Sequence, residues 1–323
     1  MKIKNSPYNL RESLGYLKRN FFGPVSKNRG LVDYCRQKCI LDDPVLPQYR
    51  IAFVGDIMDM AGRRLQIGEG LKHFIGNCDC LIGNFEATIT TAKGAYMAQR
   101  HIPQILDTLA DLFPPKKTYL GMANNHSGDF GFEIWSDSKQ QVEEKGFKVF
   151  GTSEVPYIDL DDIVRVVGAT QWSNQPVDYI VKIEDVLQYQ QLGMFCILYP
   201  HWGYELELFP RPATVKKGKE LSKYFDAIIG HHSHIPQPIT KVSVEKPGGP
   251  SNQLIAYGLG DFCIHEKLKH YHYGQVIILT IGRNEGGLWR SGSLDWKFLH
   301  CRPINEDVWE TDITAHFPYL TKW

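Results

Sequence analysis

Apolar residues along this chain fall in short runs. Eight have strand length: IAFVGD (51–56), CLIGN (80–84), TYLGMA (118–123), DIVRVVGA (162–169), MFCILYP (194–200), DAIIGH (226–231), LIAYGL (254–259) and GQVIILTIG (274–282). Helical periodicity occupies stretches between many of them, near 64–76, 102–112, 131–145, 184–192 and 213–224. Strands alternating with helices predict an α/β fold. The last third is poorer in helical segments, so antiparallel strands are expected to close the sheets there. VEKPGGPSNQ (244–253) reads as a hairpin loop.

The first 48 residues follow another pattern. Leu10, Leu14, Leu17 and Phe21 recur at steps of 4, 3 and 4, which is one face of a helix. Ser6 would cap it, Pro7 fits the first turn, and Lys18 and Arg19 suit the negative end of the dipole. The favoured reading is a helix packed on the body of the protein. The alternative is a docking helix for a partner, a second copy of the chain or a membrane surface. DDPVLPQYR (Asp42 to Arg50) reads as an extended linker. The expected division is a helical extension with linker over 1–48 and one main domain over 49–323.

Composition narrows the function classes. Of 323 residues, 43% are apolar and 22% charged, ordinary for a globular protein with a sizeable core. The formal net charge of +0 argues against a global pull toward nucleic acid or acidic membranes. No run approaches the roughly 18 apolar residues of a membrane span. The N-terminus starts basic but lacks an uninterrupted apolar core and a small-residue cleavage site, so no secretory signal is expected. Seven cysteines form no disulfide framework, and neither Cys35/Cys39 nor Cys78/Cys80 has the company of a four-ligand zinc site. Reduced thiols and a cytoplasmic location are expected.

The candidate chemistry lies in where the apolar runs stop. IAFVGD ends in Asp56, CLIGNFE in Asn84 and Glu86, and YLGMANNH in Asn124, Asn125 and His126. CILYPHWG ends in His201, and AIIGHHSH in His231, His232 and His234. One such residue alone is usually a turn or a cap. Five strands delivering carboxylate, amide and imidazole to one edge predict a ligand crevice. Oxygen and imidazole donors without thiolate suit Mn, Fe or Zn, and donors drawn from many loops suit a two-metal hydrolytic site. One or two divalent ions per chain are expected.

The ordered series GD…N-x-E…ANNH…HWG…GHHSH…YGLGDF, over about residues 50–285, resembles the CapA (poly-γ-glutamate capsule biosynthesis) family, a branch of the calcineurin-like metallophosphoesterases. The resemblance implies a two-sheet α/β sandwich flanked by helices, with a dinuclear metal centre at the strand ends. It implies that Asp56 and His234 bind the first metal and that Glu86 bridges. Asn125, His201 and His232 would bind the second metal, with His126 beside them as proton donor. His231 takes no ligand role, at most a supporting hydrogen bond. The implied activity is a metal-dependent hydrolase, most simply a phosphoesterase, on an anionic small molecule or polymer. Alternatives are an accessory component of anionic polymer synthesis or export, and metal-dependent amide-bond chemistry.

Three motifs depart from the pattern. Met58 stands where the superfamily has His, leaving the first metal a ligand short; Asp59 is one candidate to compensate. Ala87 and Thr88 replace Gly-Pro, and Asp261 replaces Asn. Arg63 and Arg211 are candidate phosphate binders, and Trp172 and Trp202 candidate walls. CIHEKLKHYHYG (263–274) carries a second His-x-His that reads as a loop at the rim.

Overall fold

Alternate residues of each central strand go to different cores. In the strand Leu46–Ile57, Ile51 and Phe53 face one core while Ala52 and Val54 face another. Ile197 and Tyr199 are split in the same way from Cys196 and Leu198 in Phe195–His201, and Ala227 and Ile229 from Ile228 in Ala227–Ile229. A strand covered on both faces needs apolar residues at every position, so these segments read as continuous runs. The structure, a computed structural model, describes residues 6–42, 45–246 and 249–322.

The shared core lies between two sheets. The larger runs in the order Arg64–Ile67, Val308–Thr314, Trp289–Pro303, Tyr273–Arg283, Leu46–Ile57, Cys80–Phe85, Thr118–Gly121 and Lys148–Phe150. Short strands Lys38–Ile40 and Asp261–Cys263 add to Trp289–Pro303 and Leu46–Ile57. The smaller sheet runs Ile239–Lys246, Gly249–Ala256, Ala227–Ile229, Phe195–His201, Val164–Thr170 and Tyr157–Leu160. Helices Gln104–Leu112 and Phe132–Glu144 pack outside the larger sheet through Leu109, Trp135 and Val142, and Pro212–Leu221 outside the smaller through Val215 and Leu221. This is the expected two-sheet α/β sandwich, with antiparallel strands in the last third.

Several local expectations need correction. The segment 64–76 divides into strand Arg64–Ile67 and helix Glu69–Ile75, because Gly68 and Gly70 admit the Asp312 side chain. The segment 184–192 holds only a single 3-10 turn, Val186–Tyr189. The stretch from Leu46 to Arg50 is strand rather than linker; Asp43 and Pro44 lie outside the described residues. The hairpin strands run to Lys246 and from Gly249, into the stretch expected as loop; residues 247–248 lie outside the described residues.

The N-terminal helix, Leu10–Phe22, is capped by Asn9, whose side chain accepts from Glu12 N at 3.0 Å, and not by Ser6. Its apolar stripe faces outward, with Leu10 79%, Leu14 60% and Phe21 75% exposed. The helix does pack on the body, but through its polar side. Arg19, only 6% exposed, donates to Glu205 O at 2.7 Å and pairs with Glu12 and Glu207. Tyr16 meets Tyr271 at 3.0 Å. Among the described residues no helix is long and apolar enough to cross a membrane. All seven cysteines are free thiols.

Candidate metal centre

Parallel strands that run the same way deliver their carboxyl ends to one edge. Asp56 sits in the middle of that edge, opposite Asn84 on one side and Asp261 on the other. His201 and His231 form a bridge on the facing sheet. Two glycines permit the approach. A Cβ on Gly55 would lie 1.9 Å from Gly260 O, and one on Gly230 would lie 2.2 Å from Trp202 Nε1. Beyond Gly230 the chain turns through His232 (φ 88°) and His234 (φ 50°). Left-handed backbone at non-glycine residues is costly and concentrates at functional sites. Here the His232 N–H donates to Asp56 Oδ2 at 2.9 Å and holds the turn against the first strand.

The side chains converge as the strand-end pattern predicts. Asp56, Glu86, Asn125, His201, His232 and His234 are all buried around one crevice. Glu86 Oε1 lies 3.4 Å from His201 Nε2, 3.7 Å from His234 Nε2 and 4.0 Å from His126 Nε2, and it has no hydrogen-bond partner. His231 Nε2, His232 Nδ1 and Asp261 Oδ2 are also buried without one. Three sets of donors lie within 4.8 Å of one another: Asp56/His201/His231, Glu86/His232/His234 and Asp56/His234/Asp261. Unpaired carboxylate oxygens and imidazole nitrogens are costly to bury. A divalent cation is the partner that fits them, and the absence of thiolate matches hard or borderline ions.

The electrostatics are those of a shared charge site. Burial and the neighbouring Asp56 charge push the Glu86 carboxyl well above the usual range. For Asp56, burial works upward too, but hydrogen bonds and charge from His231 and His234 outweigh it and hold the group well below its ordinary value. Two close carboxylates driven apart in this way are expected where both cannot be charged without cations. Burial and the other imidazoles depress His201 and His232. His234 goes the other way: burial is outweighed by Asp261 and Glu86, and its pKa rises. Burial lifts Asp261 to about 7 despite His234.

Asp129 and Asn174, which the sequence did not single out, join the named residues around the crevice. Asp129 Oδ2 lies 2.6 Å from His126 Nδ1 and turns the other ring nitrogen toward Glu86. Asn84 Nδ2 donates to Asp56 Oδ1 at 2.8 Å and Glu86 Oε2 at 3.0 Å, spacing the two carboxylates. Asn125 Oδ1 is 2.7 Å from His201 Nε2, while its amide nitrogen donates to Asn174. His231 stands closer to the centre than a spacer, 2.8 Å from His201 Nδ1 and 3.3 Å from Asp56 Oδ1. Asp261, not Asp59, is the carboxylate beside His234, at 2.8 Å. Asp59 instead accepts from Ala61 N within its own turn. Met58 is buried with Leu206, Ile264 and Tyr271. Arg211 is held by Glu207 and Glu12 and lies over the Tyr204 ring. Trp172 lies 6.3 Å from His232 and walls the crevice, whereas Trp202 stacks on Tyr257 in the core.

Residues 50–156 and 169–266 match the family described as bacterial capsule synthesis protein PGA_cap. The chain belongs to that family. The matched segments of this PGA_cap member carry all six expected ligands and His126; the N-terminal helix lies outside them. It is 21% identical over 290 residues to the PGA biosynthesis protein CapA of Bacillus subtilis, covering 79% of this chain and 74% of that one. It is 25% identical over 252 residues to the capsule biosynthesis protein CapA of Bacillus anthracis, covering 66% of this chain and 59% of the relative. A Staphylococcus aureus crystal structure titled as a 5'-nucleotidase in complex with alpha-ketoglutarate shares 14% identity at a TM-score of 0.45, over 76% of this chain and 54% of that one. At that score the likeness carries no functional weight.

Proposed function

We propose that this PGA_cap member is a metal-dependent hydrolase of phosphate esters. In this reading Asp56, Glu86, Asn125, His201, His232 and His234 hold one or two divalent ions, and Asp261 supplies the donor that Met58 cannot. The observation that carries it is Glu86 Oε1, buried without a partner and faced by three imidazole Nε2 atoms within 4.0 Å. Such ions, when bound, supply polarisation of a phosphoryl oxygen and activation of water. Asp129 receives the Nδ1–H of His126 and fixes the ring, so that Nε2 faces the crevice and delivers a proton to the leaving oxygen. Asn84 and Asn174 hold Asp56, Glu86 and Asn125 in place. Trp172 and Tyr8 pack their rings beside that of His232.

Elemental analysis paired with hydrolysis of an aryl phosphate and an aryl phosphodiester in Mn tests this. His126→Ala should lower kcat by about 10²–10⁴-fold, the usual worth of a general acid. Protein that carries bound metal yet hydrolyses neither substrate would sink the esterase.

A second reading follows from the relatives, which are named for PGA and capsule biosynthesis. The same centre then serves the making or export of an anionic, poly-γ-glutamate-like polymer, as an accessory part or through amide-bond chemistry. Metal-dependent, His126-dependent shortening of poly-γ-glutamate, with phosphate esters untouched, separates this from the first.

A further inference from the structure

The segment ahead of the N-terminal helix reaches into the metal centre. Tyr8 is 8% exposed and its Oη lies 2.9 Å from His232 Nε2. Its ring stacks on Tyr204 with centroids 5.9 Å apart and meets Trp172 edge-on at 5.2 Å. The other nitrogen of the same imidazole, His232 Nδ1, is buried and has no hydrogen-bond partner. A neutral imidazole carries one N–H and one lone pair, and the partner of the first decides which nitrogen offers the second. Metal-binding histidines almost always donate their remote N–H to a fixed acceptor.

We propose that Tyr8 is a positioning residue for the metal centre: its phenol oxygen accepts the Nε2–H of His232 and thereby leaves the Nδ1 lone pair for a divalent cation. This rests on the metal-centre reading above. The phenol is itself oriented. Its oxygen also receives the Glu205 N–H at 3.4 Å, and the charge of the buried Glu205 side chain bears on it. Burial and the Glu205 charge keep Tyr8 protonated.

The arm is tied down where this geometry needs it. Arg19 Nε donates to the Glu205 carbonyl at 2.7 Å, and Arg211 joins Glu12 of the helix to Glu207. Val25 N donates to Leu206 O at 3.2 Å and Leu208 N to Val25 O at 2.9 Å. Both ends of the helix are therefore fixed to residues 205–211, the loop that carries Glu205. Tyr8 lies outside the residues matching the family.

The test compares wild type with Tyr8→Phe, which keeps the ring and its stacking. In metal-free protein with nitrogen-15-labelled histidine, His232 should show the Nε2–H tautomer in wild type and lose that bias in the variant. Mn or Zn affinity, measured by chelator competition, should fall about 10–100-fold, the usual effect of removing such a partner. Glu205→Gln keeps the phenol and covers the case in which Tyr8→Phe folds poorly; it should weaken metal binding in the same direction, but less. An Nδ1–H tautomer in wild type, or unchanged metal affinity in a folded Tyr8→Phe protein, overturns the proposal. Wild type that binds no divalent ion overturns the metal-centre reading, and the proposal with it.

Discussion

The chain contains two His-x-His units, and only one belongs to the candidate metal centre. His232-Ser233-His234 follows the strand Ala227–Ile229 through Gly230 in left-handed backbone; His234 faces Asp56, Glu86 and Asp261, and His232 groups with Glu86 and His234. His270-Tyr271-His272 occupies the 3-10 turn Lys269–His272. There His272 Nε2 bonds the Glu266 carbonyl at 2.7 Å, and its ring meets Trp309 edge-on. Both histidines of the second unit are depressed, by burial first. In the first unit the two members diverge, because only His234 has carboxylates strong enough to outweigh burial. Spacing alone does not distinguish the two units; the carboxylates opposite the first one do. The second unit does reach the rim, since Tyr271 lies 6.1 Å from His234 and bonds Tyr16 of the N-terminal helix.

The sharpest way to break this contrast is to remove one histidine at a time. His232→Ala or His234→Ala should weaken Mn binding, followed by calorimetric titration, by at least about a hundredfold, since outer partners alone are worth about 10–100-fold. His270→Ala and His272→Ala should leave it unchanged, and an equal loss from either unit would erase the distinction. Next in size is the turn that aims the first unit. Gly230→Ala would put a methyl 2.4 Å from Tyr257 O as well as against Trp202. Overpacking of that kind should cost about 3 kcal/mol in urea denaturation and lower metal affinity with it. A smaller effect is expected from His272→Ala, about 1 kcal/mol of stability for the lost hydrogen bond.

The smallest effect is a pH slope. His270 and His272 titrate below the ordinary histidine value in the fold, and the adjacent His300 is held at about 4, by burial and then by the charge of His272. A depressed histidine binds protons more readily unfolded than folded, so stability is lost as pH falls below about 6.5. For His300 the loss runs down to about 4. His300→Gln should therefore flatten the fall in melting temperature of metal-free protein between pH 6.5 and 4. An unchanged slope would show that His300 does not contribute to the acid sensitivity.

Much of the centre was legible because its residues follow buried parallel strands, where an apolar run must end at the ligand edge. Asp56, Glu86, Asn125, His126, His201, His232 and His234, named from that rule and from motif order, lie together around one crevice. Asp129 could also have been found, since it follows His126 by three residues within the turn after ANNH. Tyr8 and Glu205 carried no such signal. They meet across 197 positions of sequence, and only packing brings them together. The direction of the N-terminal stripe was equally hidden. Periodicity establishes that Leu10, Leu14, Leu17 and Phe21 share a face, but not which way that face turns.

By itself, then, the sequence determined the α/β alternation, the edge at which the chemistry collects and the donor types, because these depend on local pattern and strand direction. Tertiary structure decided the rest. Asp261 beside His234, His231 against His201, the polar face of the N-terminal helix turned inward and Tyr8 on His232 all depend on long-range approach. The physical reason is that buried polar atoms must find partners wherever the fold puts them. Which partner each one meets is set by how the two sheets and the N-terminal segment close on one another.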